Sequence, residues 1–179
     1  MRSLVVLVAM ATPALAEPMP VGSIGVVFGA NGGTGADARQ YGFGVNYFGI
    51  QAAWQPTLTE RAWGPTVRWG TMFGLMRASE APKIESWLWT VQMDLTVGIR
   101  FRPWRSPTRY LTLRAGAELL RANEPIPPEM SREFIGGIAS VGFDQYFSIF
   151  MLNVDVRYGL IGEGPRALSL LVGIALPGP

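Results

Sequence analysis

The stretch WLWTVQMDLTVGIRFR, Trp87–Arg102, alternates between two kinds of side chain almost without error. Odd positions carry Trp87, Trp89, Val91, Met93, Leu95, Val97, Ile99 and Phe101; even positions carry Leu88, Thr90, Gln92, Asp94, Thr96, Gly98, Arg100 and Arg102. A period of two marks a β-strand with one apolar and one polar face. Strands of soluble proteins usually run about five or six residues, whereas a tilted strand crosses a bilayer in about nine to eleven. This one is long enough to cross.

Working outward, turn-forming residues divide the chain after residue 16 into eight such pieces, this one included. They are Val21–Gly29, Gln40–Trp54, Trp63–Arg77, Trp87–Arg102, Tyr110–Arg121, Phe134–Tyr146, Phe150–Leu160 and Leu168–Leu176. The second changes phase near Tyr47-Phe48: the apolar side is odd up to Tyr47 and even from Phe48, as a β-bulge produces. Segment Asn31–Asp37 reads as a Gly-rich loop and Asn123–Arg132 as a Pro-rich one. The first lacks the Lys-Ser/Thr of a phosphate-binding loop, so a hairpin connection is the simpler reading. The second is either a stiff recognition element or a rigid connector.

Composition separates a membrane barrel from a soluble one. Of 179 residues, 49% are hydrophobic, yet after the N-terminus no run approaches the ~18 apolar residues of a helical span. Charged residues make up 16% and Lys83 is the only lysine, whereas a soluble β-domain keeps its edges and outer face wet with charge. The expected architecture is all-β, an eight-stranded antiparallel up-and-down transmembrane barrel over residues 17–179. Met1–Ala16 has the form of a secretory signal peptide, with Arg2, a short apolar core and Ala14-Leu15-Ala16 before Glu17. An N-terminal membrane anchor is the alternative, which Pro13 and the shortness of the apolar run disfavour. Export and barrel patterning together predict a Gram-negative outer membrane.

Every charge well inside a strand falls on the polar face: Arg68, Asp94, Arg100, Arg114, Glu118, Asp144, Asp155 and Arg157. An arginine facing mid-bilayer costs about 2–4 kcal/mol, so a membrane enforces this segregation. The polar face is then the lumen, where four arginines and four acids form a closed polar network. A hairpin centred near residue 82 puts Asp94 about two residues from Arg68, and the Pro103–Pro107 hairpin brings it near Arg114. Asp94 is therefore expected between the two guanidiniums. A lipocalin-like soluble barrel binding a hydrophobic ligand, and a narrow channel, remain as alternatives.

Chemistry is scarce. The chain has no histidine and no cysteine, so Ser-His catalysis, thiolate metal sites and disulfides are unavailable. No acidic cluster offers an all-carboxylate metal site, so neither cofactor nor metal is expected. Asp94, Glu118 and Asp144 could in principle serve as paired carboxylates for glycoside hydrolysis, but arginine pairing accounts for them more simply. A net charge of +2 gives no reason to invoke nucleic acid. The expected partners are outer-membrane lipids and the barrel-assembly machinery, around a monomer without enzymatic activity.

Together, the eight alternating strands and the leader resemble the small outer-membrane barrels typified by outer-membrane proteins A, X and W. The resemblance covers Val21–Leu176 and implies a barrel with a structural or surface role. It departs at the end of the chain: such barrels commonly finish on an aromatic residue that the assembly machinery recognises, whereas this chain finishes Ala175-Leu176-Pro177-Gly178-Pro179.

Overall fold

The computed structural model describes residues 22–34, 44–55, 62–79, 85–104, 106–126, 131–160 and 167–178; the Met1–Ala16 leader lies outside them. The described residues form eight strands: β1 (Gly22–Gly33), β2 (Gly44–Trp54), β3 (Trp63–Ser79), β4 (Glu85–Phe101), β5 (Arg109–Ile126), β6 (Ser131–Tyr146), β7 (Met151–Leu160) and β8 (Ala167–Gly178). Each pairs antiparallel with its sequence neighbours, and β8 pairs with β1 from Gly22↔Gly178 to Gly33↔Ala167, closing the barrel. Strand β8 is thus a full closing strand despite its Pro-Gly ending.

The alternation of β4 becomes two surfaces. Trp89, Met93, Leu95, Val97 and Ile99 are 43–64% exposed, while Leu88, Thr90, Gln92, Asp94, Thr96 and Arg100 are at most 5% exposed. The apolar face therefore looks outward over the whole circumference, with Ile24, Phe73, Leu113, Val141, Val156 and Ile174 also exposed. A soluble cup would have the opposite orientation. The exposed tryptophans Trp54, Trp63 and Trp104 stand at the Gly22 end of the wall, the turn end, and Trp89 toward the opposite, loop end, where interfacial girdles place aromatics; Phe28, Phe48, Trp69 and Phe73 lie between them. The side chain of Trp87 lies outside the described set.

The phase slip in the second strand is a bulge. From β1, Gly29↔Tyr47 is followed by Asn31↔Gly44; from β3, Phe73↔Phe48 is followed by Leu75↔Val45. Both neighbours count one extra residue in β2, within 45–47. Two expected loops are shorter than the sequence suggests. Asn31, Gly32 and Gly33 pair with Ser169, Leu168 and Ala167, because the partner strand β8 extends that far and its ladder outweighs the weak strand preference of glycine. Likewise β5 runs to Ile126, which pairs with Ser131 after a register shift beyond Arg121. Pro125, which cannot donate to a ladder, sits in that irregular stretch.

Small barrels need sharp coiling, and glycine supplies it. At Gly98 a Cβ would sit 1.9 Å from the Leu113 carbonyl oxygen, and at Gly116 it would sit 2.0 Å from that of Leu95. The β4–β5 ladder is thus bent more tightly there than any side chain permits. Gly98→Val is expected to lower stability toward the upper end of the ~1–3 kcal/mol that overpacking costs. Urea unfolding in lipid vesicles would show this; an unchanged midpoint would mean the ladder is laxer than described.

Candidate functional site

All eight charges expected inside are inside, and none is more than 5% exposed. Their pairing differs from the expectation. The first hairpin has its centre at residue 82, since Arg68 faces Thr96 and Gly70 faces Asp94. Across the next ladder, however, Asp94 faces Glu118, and Arg114 faces Gly98. Asp94 makes its ion pair with Arg157 Nη1 at 2.7 Å, not with Arg68 or Arg114. The position between those two guanidiniums belongs to Asp155. Arg68 Nη1 donates to Asp155 Oδ2, Arg114 Nη2 donates to Oδ1 at 3.1 Å, and Arg157 Nε approaches Oδ2 at 3.3 Å.

The correction has a geometric cause. Ladders join neighbouring strands, but inward side chains of an eight-stranded barrel meet across the lumen. Asp155 and Arg157 on β7 thereby reach Arg68 on β3, Asp94 on β4 and Arg114 on β5. Room for the carboxylates comes from glycine: a Cβ at Gly70 would lie 2.9 Å from Asp94 Oδ2, and one at Gly142 would lie 2.6 Å from Asp155 Oδ1.

The other three charges have separate surroundings. Glu118 accepts a hydrogen bond from Gln92 Nε2. Asp144 accepts one from Asn153 Nδ2 at 2.6 Å. The Arg100 guanidinium lies 3.7 Å above the Tyr110 ring centroid and 5.0 Å from that of Tyr146. Those two rings meet edge to face at 5.8 Å, and the Tyr110 hydroxyl donates to the Pro107 carbonyl at 2.6 Å. With Met151 and Ala175 they form an apolar cluster at the turn end of the lumen.

Sequence reasoning missed this second component of the inner wall. Leu88, Leu120, Ala122 and Phe134 are buried toward the loop end, and Val27, Met72 and Leu171 pack together inside. Their inward position follows from parity along each strand, which could have been counted from Asp94 to Leu88, from Arg114 to Leu120 and Ala122, from Asp144 to Phe134 and from Arg68 to Met72; their apolar character gave no hint of it. The ion-paired residues Arg68, Asp94, Arg114, Asp155 and Arg157 therefore lie between Leu88, Leu120, Ala122 and Phe134 on one side and, on the other, a mixed layer in which Tyr110 and Tyr146 stand among Arg100, Asp144 and Gln145. On the outer wall, Ala115 and Ala139 floor an apolar groove of about 580 Å³, walled by Val97, Ile99, Leu113, Val141, Val156 and Tyr158.

Among the described residues no group of three or more metal-ligating Asp or Glu side chains occurs. Among the described residues no helix is long and apolar enough to cross a membrane.

The sequence matches no protein-family model and no curated protein. Solved structures do resemble it in fold. The attachment invasion locus protein Ail of Yersinia pestis is 15% identical, with a TM-score of 0.61 over 90% of this chain and 99% of that one. Neisserial surface protein A, NspA, is 15% identical, with a TM-score of 0.54 over 90% of this chain and all of its own. The outer-membrane protein OprG of Pseudomonas aeruginosa is 10% identical, with a TM-score of 0.50 over 89% of this chain and 94% of its own. The chain has the architecture of the small eight-stranded outer-membrane β-barrels.

Proposed function

We propose that the protein is an integral outer-membrane barrel that neither conducts ions nor catalyses a reaction, and that its role is structural or lies in its surface contacts. One observation supports this reading: an apolar outer belt surrounds an inner face whose buried arginines and carboxylates are ion-paired. The network Arg68, Asp94, Arg100, Arg114, Glu118, Asp144, Asp155 and Arg157 then serves the barrel itself. Buried charges are tolerable when paired and hydrogen-bonded, and these largely neutralise one another. Leu88, Leu120 and Phe134 toward one end of the network oppose entry of hydrated ions from that side.

On this reading Met1–Ala16 directs export and is removed, residues 17–179 form the barrel, and the assembly machinery inserts it as a monomer among outer-membrane lipids. The absence of histidine and cysteine supports a non-enzymatic role. In planar bilayers the purified protein is expected to give no resolvable conductance steps, and in cells it should fractionate with the detergent-extracted envelope. Steady single-channel steps would make it a narrow channel. Recovery as a soluble exported protein would support the ligand-binding cup.

A further inference from the structure

The apolar groove on the outer wall runs across the strands, along their hydrogen-bond ladders. Val97, Ala115, Ala139, Tyr158 and Leu168 face one another in succession from β4 to β8 and form one outward row. Ile99, Leu113, Val141 and Val156 form the next row toward the turn end. That second row is bulky throughout, and its members are 42–54% exposed. The first row drops to alanine at its centre, and the small pair Ala117–Gly137 continues the low ground toward the loop end. A trough of about 580 Å³ therefore crosses the wall at the depth of Leu95 and Val97.

Two observations say what covers it. The trough is continuous with the apolar belt, so on the membrane reading given above, on which this inference rests, hydrocarbon lies against it. Its volume falls within the roughly 300–1,000 Å³ of single-ligand sites. The second observation is chemical. Of the outward side chains that line the trough, Tyr158 alone is polar. It stands two residues from Leu160, the loop end of β7, and is half-buried. Among the described residues its hydroxyl has no hydrogen-bond partner. A phenol inside hydrocarbon needs an acceptor. Close below the membrane surface, that acceptor is the ester carbonyl of a lipid chain.

We propose that the trough seats one acyl chain of an ester-linked diacyl phospholipid from the leaflet at the loop end. The chain lies over Ala139 and Ala115 toward Ile99, and its ester carbonyl accepts from the Tyr158 hydroxyl. This lipid stays with the barrel while those around it exchange.

The test reconstitutes the mature barrel into vesicles of dipalmitoyl phosphatidylcholine mixed equally with its ether-linked dihexadecyl analogue, which lacks the carbonyls. Mild detergent extraction and native mass spectrometry follow. One lipid per barrel is expected, with the ester form retained about three- to tenfold over the ether form, the range that one hydrogen bond commands. Tyr158→Phe should erase that preference, and Ala139→Phe, which raises the floor, should lose the lipid. Ala52→Phe makes the same change on β2, four strands from β6 on the opposite wall, and should keep it. Should Ala139→Phe not insert, the ester preference and its loss in Tyr158→Phe decide. No lipid on the wild type, equal retention by Ala139→Phe, an unchanged preference in Tyr158→Phe, or extraction as a dimer overturns the proposal. A barrel that does not enter vesicles overturns the membrane reading as well.

Discussion

Asp155→Asn is expected to be among the most destabilising single substitutions in the barrel, costing about 3–5 kcal/mol. The carboxylate is fully buried, and Arg68, Arg114 and Arg157 all lean on it. Asparagine keeps the shape but removes the charge, leaving three buried guanidiniums with Asp94 and Glu118 as the remaining acids nearby. The contrast is Arg121–Glu133, an ion pair at 3.3 Å on the outer rim with side chains 69% and 57% exposed. Arg121→Gln should change stability by less than about 1 kcal/mol, because exposed pairs gain little against solvation and side-chain entropy. Adding Arg68→Gln to Asp155→Asn should recover part of the loss by removing one uncompensated cation. Reversible urea unfolding in vesicles measures all four proteins. Equal, small effects at Asp155 and Arg121 would mean that the lumen is wet enough to screen its charges.

The second large effect concerns the outer wall. Leu95 lies near the middle of the outward row between Val91 and Phe101 and is 54% exposed. Leu95→Arg should cost about 2–4 kcal/mol in a bilayer, because a guanidinium at mid-depth cannot be solvated by lipid. Depth is the control. Val91 faces Arg121 across the β4–β5 ladder, so an arginine already stands at that level on the neighbouring strand. Val91→Arg should cost only about 0–1 kcal/mol. Similar costs at both positions would deny the depth gradient that a membrane imposes.

The fold was legible because its signal is local. Period-two alternation in Trp87–Arg102 fixes which side chains share a face without knowledge of any other strand. The phase slip at Tyr47-Phe48 betrayed the bulge for the same reason, and a tight connection between β3 and β4 set their register about residue 82. What failed was non-local. That Asp155, on the seventh strand, holds Arg68 and Arg114 follows from barrel closure and lumen width, neither of which is written in the spacing of those residues. The apolar inner residues were hidden differently. Alternation says that two faces exist, and polarity suggested which was inner, but Leu120, Phe134, Val27 and Leu171 are inward by parity alone. Their role is to fill volume, for which any large side chain without charge serves.

Orientation of the two faces is the claim on which the rest depends, and an accessibility scan tests it most directly. A spin label placed singly at each position from Leu88 to Arg100, in barrels reconstituted into lipid bilayers, reports collision with oxygen dissolved in the hydrocarbon. The account predicts alternation with a period of two, with maxima at Trp89, Val91, Met93, Leu95, Val97 and Ile99 and minima at the even positions. Maxima at Thr90, Gln92, Asp94 and Thr96, or a flat profile along the strand, would contradict it.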